Sequence, residues 1–441
     1  MSDIRSICEK VKPDVVAFRR DVHKHPEGPL CEYRTASKVI EALTKLGYEV
    51  HYGDDTNRMD AVMGSLPTVE ESEAEMQRAI RDGADPALVA KMQYGKTGVM
   101  GVLRCGEGPV VGVRCDMDSV CVDECDGDDH LPSKLGFHSV YAGHNHACGH
   151  DAHTAIGIGL AETLGTLAKE GKLKGTLKLF FEPAEELFAG GRAMVDSGIA
   201  DDLTHLFAIH MAVSTKRTGQ VATSVIDFPT IVKYDVAFTG QNAHADYAPE
   251  QGKNALLAAC AATLNLHAVT RHSHGNSRIN VGLIESGSRK NLNAIPGESH
   301  LVLELVAFSQ EVFDFLYESS MRIIRGAAEM YGCTADVEIN KSAVPVKSVR
   351  CDSGIAETVA KAAGQVPEVN EIIPAGSLCG AGEDASLFIQ KAQENGGQGT
   401  YVMFGTDLSN NAHTRFYDVD ERTLAIATET MTRAIADVMQ K

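Results

Sequence analysis

The order of apolar runs between Phe228 and Asn340 constrains the fold more than any single motif. TIVKYDVAFTG (230–240) alternates like a strand, and NALLAACAATLNLHAVT (254–270) has helical spacing. RINVGLIESGS (278–288) and SHLVLELVAF (299–308) are strands, EVFDFLYESSMRIIRGAAEMYG (311–332) is a helix, and ADVEIN (335–340) closes the set as a strand. This β-α-β-β-α-β order is the ferredoxin-like arrangement. On either side of it strand and helix runs alternate, which predicts an α/β domain whose loops gather at the carboxyl ends of the strands. The expected organisation is one domain built from 1–226 and 342–441, interrupted by an inserted unit at 227–341. A chain of 441 residues is too long for a single core, which agrees with that division.

In the outer domain, residues 3–22 read as a helix and Arg34–Leu46 as a second one that stops at Gly47. The polar stretch from about 55 to 94 has helical spacing broken at Gly83 and Pro86, and it reads as a helical insertion outside the core. GKTGVMGVLRC and GPVVGVRCDMD are β-rich and are expected to be adjacent strands. Further strands are expected in GTLKLFFEPAEE, LTHLFAIHM and TYVMFG, with helices in TAIGIGLAETLGTLAKEG, GGRAMVDSG, SGIAETVAKAAG and the last segment, DERTLAIATETMTRAIADVMQK.

Composition excludes several classes of function. Sixty acidic against 41 basic residues give a net charge of -19, which repels a phosphate backbone and speaks against a nucleic-acid partner. No stretch reaches the roughly 18 uncharged apolar residues of a membrane span. The first residues mix charges with apolar positions at helical spacing, unlike a signal peptide, so the expected location is the cytoplasm. Eleven scattered cysteines in such a chain are expected to be reduced.

The chemistry concentrates first in GHNHACGHDAH (143–153), where Cys148 and His150 can project from one loop toward a common point. Thiolate and imidazole suit zinc and similar divalent ions. Two neighbours make only half a site. Other polar residues fall at the ends of predicted strands: Asp116 and Asp118 after VGVRC, Glu185 and Glu186 after LKLFFEPA, His210 after LFAI, and His413 in the loop after TYVMFG. Each has a bland reading as a helix start, a core histidine or a loop residue. Their shared position at strand ends favours a site.

CGHDAHTA, FEPAEE, AIHM, GQNAHADYAPEQGKNA and AHTRFYDVDE, in this order, resemble the M20 metallopeptidase superfamily in its amidohydrolase branch. The resemblance runs from FRRDVHKH to the C-terminus. It implies a catalytic domain with a mixed sheet between helices, and an inserted ferredoxin-like lid or dimerisation domain. It also implies two divalent ions, manganese or zinc, bridged by Cys148, with His150 and His210 on one and Glu186 and His413 on the other. Glu185 becomes the general base and Asp118 orients a ligand from outside, whereas Asp116 receives no role. His138, His144, His146 and His153 are then not ligands. His244 is the implied oxyanion donor, acting across a dimer interface, and Asn293 helps to bind substrate. The family arginine on the following strand is replaced by Val306, and Arg289 and Lys290 are the candidates to compensate.

The implied reaction is hydrolysis of an N-acyl or N-aroyl amino acid of the p-aminobenzoyl-glutamate type, with indole-acetyl amino acids, hippurate-like amides and dipeptides as alternatives. A homodimer through the inserted domain is expected, or a hetero-oligomer with a similar chain. Movement about junctions near Ile226 and Ser342 would close the site. Two readings from other classes stay open: a non-catalytic partner subunit, which would not need Glu185, and a thiol enzyme centred on Cys148, which would not need His210 and Glu186 beside it.

Overall fold

The protein is described by a computed structural model covering residues 3–62, 66–226, 228–340, 345–378, 381–407 and 411–440. Its strands, in chain order, begin with β1 (Glu49–Tyr52), β2 (Val99–Arg104), β3 (Val110–Asp116), β4 (Thr176–Glu182), β5 (His205–Met211) and β6 (Gln220–Ala222). Next come β7 (Thr230–Thr239), β8 (Ala243–His244), β9 (Ser277–Ser286), β10 (Ala294–Ile295), β11 (Glu298–Ala307) and β12 (Thr334–Ile339), followed by β13 (Glu371–Ile373) and β14 (Gln398–Phe404). Contacts divide the chain into a larger unit, Met1–Asp227 with Val349–Lys441, and a smaller one, Phe228–Ser348. Ser342, the expected junction, lies outside the described residues. Beyond it Val346 still bridges Ile231, and the Ser348 N–H donates to Thr230 Oγ1, so the return to the larger unit comes later than expected.

The larger unit holds a mixed sheet in the order β1-β2-β4-β3-β5-β14-β6-β13. β4, β3, β5 and β14 run parallel, so their carboxyl ends share one edge. These strands are buried almost throughout because helices cover them, which accounts for their continuous apolar runs. Helices Ile4–Lys24, His150–Lys169 and Arg422–Met439 pack on one another, and His150–Lys169 lies against β3, β4 and β5. That seat requires Gly157: a Cβ there would stand 2.7 Å from the Phe181 ring and 3.0 Å from Cys115 Sγ.

Two expectations fail here. β2 and β3 are not adjacent, because β4 lies between them, antiparallel to β2 and parallel to β3. Proximity in sequence is a poor guide where a crossover inserts a strand. The stretch from 55 to 94 does form helices, Val69–Arg81 and Pro86–Val89, but it is not outside the core. Ala79, Val89 and Met92 are buried in the main hydrophobic cluster, with Met76, Ile80 and Leu88 packed against it. Short strands β6 and β13 and helix Ala385–Glu394 were not foreseen.

The smaller unit is a four-stranded antiparallel sheet in the order β12-β7-β11-β9. Helices Ala255–Leu266 and Gln310–Met330 cover the face carrying Val232, Tyr234, Val236, Phe238, Leu301, Leu303 and Leu305. This is the expected ferredoxin-like topology. The β8–β10 pair, which sets His244 opposite Ala294, is an addition to it. Among the described residues the cysteines from Cys8 to Cys351 are all unpaired, and no helix is long and apolar enough to cross a membrane.

Candidate metal centre

The larger unit brings the ligand-type residues together at the carboxyl edge of its parallel strands. Gly149, with φ of 90°, turns the chain from Cys148 into helix His150–Lys169. Glycine suits this left-handed position, and a Cβ there would lie 2.8 Å from Tyr417 Oη. His150 is fully buried, and its Nδ1 is held by Asp118 Oδ1 at 3.0 Å. The other Asp118 oxygen accepts the Glu186 main-chain N–H at 3.0 Å, so one carboxylate orients two candidate ligands.

His150 Nε2 is buried without a hydrogen-bond partner. Carboxylate oxygens of Glu185, Asp116 and Glu186 stand 3.8, 3.9 and 3.9 Å from it. His210 donates from Nδ1 to the Met211 carbonyl at 2.7 Å, which leaves its Nε2 lone pair directed at Cys148 Sγ, 3.7 Å away. Glu185 and Glu186 sit in a tight turn between Ala184 (φ 50°) and Phe188 (φ 54°), both in the left-handed region. The buried carboxylate of Glu32 holds that turn by accepting the Ala184 N–H at 2.8 Å. Glu186 Oε1 is 3.1 Å from His413 Nε2, and the His413 N–H is tied to the Ala147 carbonyl at 2.7 Å.

Two overlapping triads result: Cys148 with His150 and His210, and Cys148 with Glu186 and His413, each with its ligand atoms within 4.8 Å of one another. Cys148 belongs to both. Asp116, His150 and His153 are equally close together. That third group is a poor metal site, because both His153 nitrogens are engaged: Nδ1 with Asp116 Oδ1 at 2.5 Å, and Nε2 accepting the Met211 N–H at 2.8 Å. His153 is thus a buried residue that holds Asp116 and the Met211 main chain, and His146 is also buried.

The electrostatics agree with a cation-hungry cluster. Burial, then Glu383 and Glu186, push the Glu185 carboxyl well above the usual range. Glu186 is also penalised by burial, but the hydrogen bond from His413 and the charge of His150 hold it below the usual range. Bonds to Cys148 and Glu186 raise His413 to about 10. An orphaned imidazole nitrogen beside a thiol and three carboxylates is a donor set suited to borderline divalent ions such as zinc or manganese, so the residues present fit the implied ions.

Several residues escaped the sequence reading. Arg114 in β3 is fully buried and pairs with Asp116 at 2.6 Å, Glu383 at 2.9 Å, Asp384 at 3.1 Å, and Glu182. This gives Asp116 its place, between Arg114 and His153. A charged residue inside an apolar strand was the available signal. Arg19 and His23 bind Asp151, which follows His150, at 2.6 and 2.8 Å, and Glu124 bridges His23 and His130 at 2.8 Å each.

In the smaller unit, β8 and β10 bring His244 and Asn293 together, Nε2 to Nδ2 at 3.1 Å. His244 Nδ1 accepts the N–H groups of Asp246 and Tyr247 at 3.2 and 3.3 Å, and its Nε2 accepts from Asn293 Nδ2. Arg289 is exposed in the loop before β10. Val306 is buried, and the register of β11 and β9 sets Arg278 directly opposite it.

The sequence profile of peptidase family M20/M25/M40 matches residues 112–437. One of the p-aminobenzoyl-glutamate hydrolase subunits of Escherichia coli K12 is 39% identical over 434 residues, covering 98% of each chain. The indole-3-acetyl-aspartic acid hydrolase of Enterobacter agglomerans is 37% identical over 429 residues, covering 97% of this chain and 96% of the other. Among solved structures, an aminobenzoyl-glutamate utilization protein from Klebsiella pneumoniae superposes with a TM-score of 0.75 at 32% identity, covering 99% of this chain and 98% of that one. A Bacillus subtilis dinuclear metal binding peptidase from the M20 family shares the fold, with a TM-score of 0.73 at 22% identity over 98% of this chain and 99% of that one.

Proposed function

The chain belongs to peptidase family M20/M25/M40 and is a hydrolase of that family, and on this premise we propose that it cleaves the amide bond of an N-acyl or N-aroyl amino acid with two divalent ions. The observation that carries the reading is the pair of triads sharing Cys148. Cys148, His150 and His210 would hold one ion, and Cys148, Glu186 and His413 the other. Bound there, the ions would acidify a shared water and polarise the scissile carbonyl.

The remaining work falls to side chains of this chain. Glu185, close to the ligands but not needed as one, takes the proton of the attacking water and returns it to the leaving amine nitrogen. It is buried beside the ligands, within reach of a water held between them. Asp118 keeps His150 and the Glu186 main chain in place. His244 serves the oxyanion, and Asn293, whose Nδ2 donates to its Nε2, steadies it or the substrate. Whether His244 serves its own chain or a partner's is read from assembly: a dimer through the smaller unit, whose sheet has β12 and β9 at its edges, would supply it in trans.

For the substrate we favour an aromatic acyl group on an acidic amino acid. The Escherichia coli and Enterobacter relatives both carry such an amide in their names, p-aminobenzoyl-glutamate and indole-3-acetyl-aspartate. An acidic side chain needs a cation, and Val306 cannot provide one. Arg289 and Lys290 are candidates from the loop. The strand register adds Arg278, because directly opposed residues of an antiparallel pair project from the same face.

A panel of N-acyl and N-aroyl amino acids, assayed on the chelator-stripped chain reloaded with manganese or with zinc, tests metal and substrate together. Hydrolysis of p-aminobenzoyl-glutamate or indole-3-acetyl-aspartate above the dipeptides is expected. Activity that survives exhaustive metal removal would return the reading to a Cys148 thiol mechanism. The Escherichia coli relative is named as one part of a larger enzyme, which favours a second possibility, assembly with a similar chain. An isolated chain without activity on any of the panel would support it.

A further inference from the structure

The smaller unit holds a second set of ligand-type side chains that the hydrolytic reading leaves unused. His272, His274 and Glu311 each present a ligand atom, and those atoms lie within 4.8 Å of one another. They come from two segments: the loop 267–276 leading into β9, and the first turn of helix Gln310–Met330.

Their geometry is partly organised. His274 Nδ1 is 2.9 Å from Glu311 Oε1. The His274 main-chain N–H donates to His272 Nδ1 at 3.2 Å, and the His272 ring packs on Phe315 with centroids 5.2 Å apart, so that ring is held on two sides. The two imidazoles stand 5.2 Å apart at 80°, edge to face. Ser309 caps the helix through the Val312 N–H, which places Glu311 at the positive end of the helix dipole, where its ionised form is favoured. The His274–Glu311 ion pair by itself accounts for two of the three groups. It does not account for a second imidazole held within ligand distance of both.

We propose that His272, His274 and Glu311 form a surface site for one borderline divalent transition ion, of the zinc, nickel or copper(II) class. Two imidazoles and a carboxylate match the preferences of such ions, and water would complete the coordination. The ion would clip the loop 267–276 to the start of helix Gln310–Met330.

Zinc is titrated calorimetrically into the chelator-stripped full chain and into the His272→Ala/His274→Ala chain. The double variant is expected to bind one ion fewer per chain, with unchanged hydrolytic activity at saturating metal and an unchanged melting temperature in chelator. The result is a difference between two chains, so it holds whatever the larger unit binds. Glu311→Gln should weaken that ion by at least the about tenfold that loss of an outer-sphere partner costs. As a second check, one equivalent of copper(II) added to the zinc-loaded parent and to the zinc-loaded double variant should show splitting from two nitrogens in the paramagnetic resonance spectrum that the double variant lacks. Equal stoichiometry in the two chains, or the same copper spectrum from both, overturns the proposal.

Discussion

Tyr417 Oη fills the space that a side chain on Gly149 would need, 2.8 Å from the would-be Cβ. Gly149 separates Cys148 from His150, so a side chain there would press on the turn that carries both candidate ligands. Tyr417 is fully buried.

Gly149→Ala should therefore damage the centre out of proportion to its size. The left-handed backbone adds about 1–2 kcal/mol of strain, and the collision forces Cys148 and His150 apart. A displacement of about 1 Å costs on the order of 10²-fold in rate. Loss of bound metal together with activity, in a chain that remains folded by circular dichroism, is the expected result. Full activity would mean that this turn does not position the ligands.

Glu185→Gln keeps the shape of the turn and removes only the proton carrier. We expect kcat to fall by about 10²–10⁴-fold, with metal content unchanged. A variant that loses metal instead would reassign Glu185 as a ligand.

The network behind the centre makes stability depend on pH. Burial and Arg19 oppose a charge on His23, but Asp151 and Glu124 outweigh them and raise its pKa to about 9. The folded chain then holds this proton more tightly than the unfolded chain. The resulting stabilisation is complete below 6.5, the ordinary histidine value, and is lost as the pH rises through about 9. Urea denaturation of the parent and of His23→Gln should show a gap that is widest at the acid end and narrows with alkalinity. A gap independent of pH would remove His23 from the account.

In the smaller unit, His244→Ala should lower kcat by about 10²–10³-fold, the usual effect of losing one oxyanion donor. Arg278→Ala should raise KM for acidic amino-acid amides and leave neutral ones unaffected. If His244→Ala changes KM alone, its place is in substrate binding.

Much of this protein was legible in its residues. Helical spacing, the Gly47 stop and the order of runs from Thr230 to Ile339 are local properties, written wherever a segment must bury one face. Cys148 and His150 were legible for the same reason, since a spacing of two on one loop needs no partner to be seen. Tertiary structure alone decided the rest. The insertion of β4 between β2 and β3 depends on a crossover, not on either strand, and it sets Glu182 beside Arg114. The identical side chains His150 and His153 differ only in what surrounds them: Asp118 leaves one His150 nitrogen open, whereas Asp116 and the Met211 N–H engage both nitrogens of His153. Which histidine keeps an unengaged nitrogen is thus decided by hydrogen bonds between distant segments, and those exist only once the sheet is assembled.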